Sequence, residues 1–260
     1  MPLKRSGVVS GELKMLERLS AIDAHISEAE ALVLYRQAAA LEYNSRILEI
    51  GSFKGGSAVA MASAALERNH VIYCIDPWST HKKEGVNTSE NSFDMGIFAE
   101  FKMNTSFAGG AVRPLNGYSQ DFKEILPDSF FDMIFIDGAH DYHSVKSDLL
   151  LSMRCLKKGG LLCGHDFHSM GEGVKKAVNE LISSAPSIRK KGVFEGTFIW
   201  YAYVEDPQYE IKMAELVGTA LCSPQDALWG IEQLIEEYGR LEELLMLQQE
   251  LRKRSLELPF

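Results

Sequence analysis

Residues 46–57 read RILEIGSFKGGS, an apolar run that leads directly into a glycine-rich turn. The run has the length and composition of a buried strand, and the pattern after it predicts a helix over 55–68. Glycines at Gly51 and Gly55 let the backbone turn sharply and approach a ligand closely, while the following helix directs its amide-rich end at the loop. The spacing is not the GxGxxG of dinucleotide-binding proteins, and Glu49 suits a ligand with an ammonium group better than a pyrophosphate.

Short apolar runs alternate with helical periods on both sides of this stretch. The pattern predicts five strand–helix units followed by two tightly joined strands over 192–204, with the turn at Glu195-Gly196. Continuous apolar strands between helices are typical of a parallel sheet covered on both faces, and the final hairpin predicts an antiparallel edge. We therefore predict an α/β, Rossmann-like, seven-stranded and mostly parallel sheet with helices on both faces. The predicted strands are 46–50, 71–75, 111–115, 133–136 and 160–164, and the predicted helices are 55–68, 93–106, 141–157 and 171–184.

The two ends of the chain differ from this central pattern. A helix is predicted over 27–43, with Ser27 as its N-cap and Glu30 as the capping-box partner. Apolar residues recur at helical spacing over 222–256, which predicts a long C-terminal helix that joins subunits or packs on its own domain. We expect an N-terminal helical segment at 1–44, a ligand-binding domain at 45–206 and a C-terminal helical extension at 207–260.

Composition excludes several classes of protein. The 260 residues carry a formal net charge of -9, and without a basic stripe we expect no nucleic-acid partner. No uncharged apolar run approaches the roughly 20 residues of a membrane span, and the N-terminus lacks the apolar region of a signal peptide. The four cysteines form no CxxC pair, so we expect a reduced, cytoplasmic protein.

Ligands of open α/β sheets bind beyond the carboxyl ends of the strands, so the residues there are the candidates for a site. Asp76 follows the second strand, 25 residues after Gly51, where an acid can accept hydrogen bonds from ribose hydroxyls. Trp78 either packs near an adenosine or belongs to the core. Ser119 and Gln120 follow the third strand and could read the edge of an adenine, or Ser119 could cap a helix.

Acids and histidines are densest after the fourth and fifth strands, in the runs DGAHDYH (137–143) and HDFH (165–168). Asp137, Asp166 and His165 could hold a divalent metal. Oxygen ligands favour Mg²⁺ or Mn²⁺, whereas a histidine ligand favours Mn, Fe, Co or Zn. His140, three residues after Asp137, could serve as a general base because its ordinary pKa is about 6.5.

Together these motifs resemble a known family. The runs ILEIGSFKGGSAVA, CIDPW, FIDGAHDYHSVKSDLLLSMRCLKKGG and GHDFHSMGEGVKKAV are similar to class I methyltransferases related to macrocin and mycinamicin O-methyltransferases, with cephalosporin-hydroxylase-like relatives. The resemblance covers about 45–204. It implies an S-adenosylmethionine (SAM) site built from Glu49, Gly51, Gly55, Ser57, Asp76 and the 117–120 loop with Ser119 and Gln120. We also assign Ser52, Trp78 and Asp137 to the cofactor site. In metal-dependent relatives, acids at the positions of Asp137 and Asp166 bind Mg²⁺ and a histidine at the position of His140 is the base. His165 departs from that pattern, because such relatives carry a carboxylate there.

The sequence thus predicts a SAM-dependent methyltransferase that modifies a hydroxyl of a small molecule or sugar. The polar stretch 79–92 is a candidate lid, and its lack of apolar residues favours a polar acceptor. Two alternatives stay open. One is an oxidoreductase on the same scaffold, either NAD-linked or a hydroxylase with His140, Asp166 and His168 as metal ligands. The other is a non-catalytic binding protein assembled through the helix at 222–256.

Overall fold

The computed structural model describes residues 5–79, 93–168, 172–184 and 188–207. The candidate lid and the amphipathic helix at 222–256 lie outside the described residues, apart from Ser79 at the lid's first position. By their contacts the chain divides into two units, Met1–Asp206 and Pro207–Phe260. None of the described helices is both long and apolar enough to cross a membrane.

A seven-stranded sheet forms the centre of the first unit, in the order β3-β2-β1-β4-β5-β7-β6. The strands are β1 (Arg46–Ile50), β2 (Val71–Asp76), β3 (Val112–Asn116), β4 (Phe131–Ile136), β5 (Leu156–Gly164), β6 (Ile188–Val193) and β7 (Trp200–Val204). The first five pair in parallel, and β7 pairs antiparallel with both β5 and β6. The predicted seven-stranded, mostly parallel sheet with an antiparallel edge is confirmed.

Six α-helices and two short 3₁₀ turns accompany the sheet in the described ranges. The helices are α1 (Arg5–Ser20), α2 (Glu28–Ala40), α3 (Gly56–Arg68), α4 (Met95–Thr105), α5 (Tyr142–Cys155) and α6 (Glu172–Ser184), and the 3₁₀ turns are Ser106–Ala111 and Ser119–Phe122. Helices lie on both sides of the sheet. Helices α1, α2 and α4 pack around α3, while α6 packs on α5.

The boundaries differ from the predicted ones where a strand begins earlier than its apolar run. Strand β5 starts at Leu156 and ends helix α5 at Cys155, although the sequence favoured helix to 157 and strand from 160. Strand β6 starts at Ile188, in the charged Arg-Lys-Lys stretch, rather than at Gly192. An edge strand tolerates such charge because only one side of it is paired.

The core lies between the central strands and the helices α2 and α3. Helix α3 is buried over its first ten residues, of which five are alanine and three are glycine or serine, and these small side chains let it lie close to both α2 and the sheet. The predicted capping box at the start of α2 is confirmed, since Ser27 and Glu30 bond reciprocally. Strand order reverses between β1 and β4, which places the crevice for a ligand at the carboxyl ends of these two strands.

Candidate functional site

The glycine-rich loop after β1 lies against the chain after β4. Gly51 has φ +89°, and a Cβ there would lie 2.1 Å from the carbonyl oxygen of Asp137. The Gly51 N–H donates to Ile75 O at 2.8 Å, and the Asp137 N–H donates to Ile50 O at 2.7 Å. Only glycine fits this turn, and through it the ends of β1, β2 and β4 meet at one point.

Glu49 is fully buried beneath this loop. Its two carboxylate oxygens accept hydrogen bonds from the hydroxyls of Ser52 and Ser57, each at 2.5 Å. Burial raises the pKa of Glu49 even though both serine hydroxyls lower it. The carboxyl therefore holds the loop onto the start of α3, and a contact with a ligand's ammonium group stays a prediction.

Asp76, at the end of β2, holds the same loop through hydrogen bonds to its backbone. Its Oδ2 accepts from the backbone N–H groups of Ser52 and Phe53 at 2.9 and 2.8 Å. Its Oδ1 accepts from the N–H of Trp78 at 2.6 Å. Each carboxylate oxygen can accept more than one hydrogen bond, so the side chain, which is partly exposed, retains capacity for a ribose hydroxyl.

Trp78 is a core residue in this structure. Its side chain is 1% exposed, packs between Phe98 and Phe101, and donates from Nε1 to Phe53 O at 2.8 Å. The burial of Trp78 therefore favours the core role. The indole supports the glycine loop through its hydrogen bond to Phe53 O.

After β3, the two candidate adenine contacts differ in position. The side chain of Ser119 is buried, and its hydroxyl donates a short hydrogen bond to Asp148 Oδ1 on α5. Ser119 does not cap a helix, because the cap position of its 3₁₀ turn belongs to Tyr118. Gln120 is exposed, and its contact with an adenine stays a prediction.

SAM fits this half of the site. The backbone comes within reach of a ligand at Gly51 and at Gly55, which also has positive φ. A partly exposed acid follows β2 and an exposed amide follows β3. These are the groups that a ribose and an adenine require, and the loop again lacks the pyrophosphate-binding GxGxxG spacing.

The chain after β4 and β5 forms a second cluster, of Asp137, His140 and Asp166. One ligand atom from each side chain lies within 4.8 Å of the others. Asp166 Oδ2 accepts a hydrogen bond from His140 Nε2 at 2.9 Å, and the side chains of His140 and Asp166 are 38% and 10% exposed. The imidazole is therefore open to solvent while its carboxylate partner is covered.

Asp166 has φ +62°, in the left-handed region that residues with a Cβ occupy at a cost of about 1–2 kcal/mol. The next residue holds the turn in place, because the Phe167 N–H donates to Phe198 O at 3.2 Å. This conformation directs the Asp166 carboxylate at His140 Nε2, 2.9 Å away.

His165 lies outside the cluster of three, although the sequence placed it among the metal ligands. Its Nε2 lies 2.9 Å from Glu30 Oε1, and its Nδ1 lies 3.1 Å from Asp166 Oδ1 and 3.8 Å from Asp137 Oδ1. Both ring nitrogens thus lie close to carboxylates, and a role of His165 as a metal ligand stays a prediction.

The electrostatics of these groups follow from burial and pairing. Burial raises the pKa of Asp137 to about 7, against the lowering influence of His165. The hydrogen bond to Asp166 raises the pKa of His140. Burial alone would lower the pKa of His165, but Asp166 and Glu30 raise it to about 10. His165 therefore carries a positive charge beside three acids.

Glu30 is the residue that sequence reasoning missed. The S-x-x-E pattern identified it as a capping residue, yet its other oxygen bonds to His165 and to the N–H of Phe198, 135 and 168 residues away. No local signal in the sequence predicts contacts over such a separation. His168, in contrast, is exposed and rests on Phe167, so it does not complete a hydroxylase-type metal site with His140 and Asp166.

Comparison with known proteins agrees with this geometry. Residues 48–167 match a protein-family model described as "Methyltransferase domain". This segment carries the glycine loop, Asp76, Ser119 and the Asp137–Asp166 cluster. The resemblance predicted from the strand-end motifs is confirmed at the level of a methyltransferase domain.

Solved structures share the fold at low sequence identity. Cofactor-bound Rv0187 from MTB is 17% identical and covers 76% of this chain and 90% of its own, with a TM-score of 0.53. An O-methyltransferase from Bacillus cereus in complex with SAH, also 17% identical, covers 75% and 90% with a TM-score of 0.51. The O-methyltransferase TomG from Streptomyces achromogenes, involved in tomaymycin synthesis and in complex with SAM, is 18% identical and covers 77% and 91% with a TM-score of 0.50.

A curated relative is an uncharacterized protein, R132, of Acanthamoeba polyphaga mimivirus. It is 29% identical over 143 residues, which are 52% of this chain and 58% of that protein. The chain thus spans less than two thirds of the length of this relative, and the likeness carries no information on substrate.

Proposed function

We propose that this chain is a SAM-dependent O-methyltransferase that acts on a hydroxyl of a small molecule. The observation that carries the proposal is the hydrogen-bonded pair of His140 and Asp166, 2.9 Å apart and open to solvent on the imidazole side. It stands beside the glycine loop after β1, where we place the cofactor. When bound, SAM supplies a methyl group on a sulfonium.

The chain's own contribution is to orient the acceptor and receive its proton. His140 Nε2 donates to Asp166, so in the neutral ring Nδ1 carries the lone pair that can accept a proton. The acceptor's O–H proton passes to Nδ1, and Asp166 stabilises the imidazolium that results. A positioned base of this kind contributes about 10²–10⁴-fold to a rate.

Asp137 lies between the two halves of the site. Its backbone carbonyl packs against Gly51, and its side chain, 28% exposed, faces His165. Because burial raises its pKa to about 7, a substantial fraction of Asp137 is protonated near neutral pH and can donate a hydrogen bond to an acceptor. We assign it to acceptor or cofactor positioning.

A divalent metal also fits the cluster. Asp137 and Asp166 would supply oxygens and His140 a nitrogen, a set that favours Mn²⁺, Fe²⁺, Co²⁺ or Zn²⁺ over Mg²⁺. Metal binding and proton transfer compete for His140, and this competition makes the two roles experimentally separable.

The test is calorimetric titration with S-adenosylhomocysteine (SAH), SAM, NADH and 2-oxoglutarate, followed by transfer of labelled methyl from SAM to hydroxylated sugars and phenols. We expect SAH and SAM to bind and NADH and 2-oxoglutarate not to bind. EDTA leaves transfer unchanged if His140 is the base and abolishes it if the cluster requires a metal. Absence of SAH binding, or binding of NADH, would refute the proposal.

A further inference from the structure

Glu30 links the N-terminal helix α2 to the second cluster of the site. It is 4% exposed, although it stands in the first turn of a helix whose neighbouring position, Glu28, is exposed. A buried glutamate is rare unless its charge is paired. The burial of Glu30 therefore requires partners beyond its own helix.

The two carboxylate oxygens of Glu30 have separate partners. Oε2 completes the capping box, accepting from Ser27 N at 3.0 Å and from Ser27 Oγ at 2.7 Å. Oε1 accepts from Phe198 N at 3.1 Å and lies 2.9 Å from His165 Nε2. Capping alone would use only Oε2, so the contacts of Oε1 with Phe198 and His165 serve another purpose.

A continuous path of hydrogen-bonding contacts leads from Glu30 to the base. His165 is held by Glu30 at Nε2 and lies 3.1 Å from Asp166 Oδ1 at Nδ1. The other oxygen of Asp166 accepts from His140. Acid and imidazole alternate along this path, and each member fixes the orientation of the next.

The same oxygen also positions the turn between β6 and β7. The Phe198 ring, 44% exposed, meets the His165 ring edge-on at 6.3 Å between centroids. Phe198 O accepts from Phe167 N, which holds the strained turn at Asp166. Glu30 thus contacts both structures that determine where Asp166 points.

We infer that Glu30 is a positioning residue of the methyl-transfer site, which acts through His165 and Asp166 on the orientation of His140. The inference rests on the function proposed above. It makes helix α2 part of the catalytic architecture, although the helix lies outside the matched domain at 48–167.

The variant that tests this is Glu30→Gln, with Glu28→Gln as the matched control. The control removes the same charge from the same helix turn at an exposed position. For outer residues that orient a site, losses of about 10–100-fold are typical, and we expect kcat to fall by this factor for Glu30→Gln. KM for the acceptor found in the screen and Kd for SAH should each stay within about twofold, a split that general destabilisation would not produce.

Two further measurements separate positioning from structural support. In ¹⁵N spectra of the histidine rings, the Nε2 signal of His165 should shift in Glu30→Gln and not in Glu28→Gln, a readout that requires no acceptor. In a double-mutant cycle with His165→Asn, the effect of Glu30→Gln on kcat should disappear, because both changes interrupt the same path. If Glu30→Gln does not fold, Glu30→Asp keeps the charge at the helix start and withdraws it from His165.

An unchanged His165 signal, or additive effects of the two substitutions on kcat, would overturn the inference. So would equal losses in Glu30→Gln and Glu28→Gln. Failure of the proposed function has a different signature, because the wild-type protein would then bind no SAH and the His165 shift would still occur.

Discussion

The two halves of the carboxyl edge are built differently. After β1 and β2, the acids Glu49 and Asp76 bind hydroxyls and backbone groups of their own loop. After β4 and β5, the acids and histidines bind one another, and Glu30 joins them from a distant helix. On the function proposed above, the first half is a scaffold that shapes the backbone loop around the cofactor, whereas side chains of the second half carry the chemistry. Substitutions should therefore affect binding and stability in the first half and turnover in the second.

The largest effect is expected from removal of the base. His140→Gln should lower the rate of methyl transfer by about 10²–10⁴-fold, because the proton of the acceptor then has no positioned recipient. SAH affinity should stay unchanged, since the imidazole is not part of the glycine loop after β1. The matched control is His143→Gln, an exposed histidine at the start of α5. Equal turnover of His140→Gln and the wild type would show that the second half does not carry the chemistry.

The second prediction tests the glycine loop after β1, where Gly51 approaches the chain at Asp137. Gly51→Ala should destabilise the protein by about 3 kcal/mol or more, because it adds left-handed strain and a clash with the chain at Asp137. SAH binding should be lost with it. Gly159, with φ +77° and open space around its Cβ position, is the matched control for strain without a clash. Gly159→Ala should cost about 1–2 kcal/mol in urea unfolding and leave SAH binding intact. Similar costs for both variants would mean that the close approach to Asp137 is unimportant.

The contrast between the halves also explains what the sequence could predict. The alternation of strands and helices, the glycine turn and the capping box depend on residues close together in the chain, and all three were predicted from local patterns. The positions of Asp76, Asp137 and Asp166 at strand ends followed from the sheet, because parallel strands bring their carboxyl ends to one edge.

Partnerships across the fold could not be predicted in this way. The sequence placed His165 with the metal ligands, but Glu30 occupies its Nε2 from 135 residues away. Trp78 was left open between ligand and core, and only the packing of α4 decided for the core. Ser119 was assigned to an adenine or a helix cap, whereas its partner is Asp148. In each instance the deciding contact comes from a separate element, and no periodicity or motif encodes it.

Asp148 gives a smaller, pH-dependent effect beneath the loop after β3. Burial raises its pKa to about 6, against the hydrogen bond from Ser119. An acid whose folded pKa is raised stabilises the fold fully below its unfolded pKa near 3.8 and loses that contribution as pH rises through about 6. Asp148→Asn should therefore gain stability relative to the wild type between about pH 4 and 7, by roughly 1–3 kcal/mol. Urea unfolding across that range measures it, and a difference that does not vary with pH would contradict the shift.

The smallest effect concerns the support of the glycine loop. Trp78→Phe removes the hydrogen bond from Nε1 to Phe53 O but keeps an aromatic ring between Phe98 and Phe101. The cost should be about 1–2 kcal/mol, from an unpaired carbonyl and a small cavity. If Trp78 acts only by supporting the loop, the substitution should weaken SAH binding by less than about tenfold. If the ring instead contacts adenosine directly, Trp78→Phe should weaken the binding of SAH more than the binding of S-ribosylhomocysteine, which lacks the base. Titration of both ligands against Trp78→Phe therefore decides whether the first half is wholly a scaffold or lends one side chain to recognition.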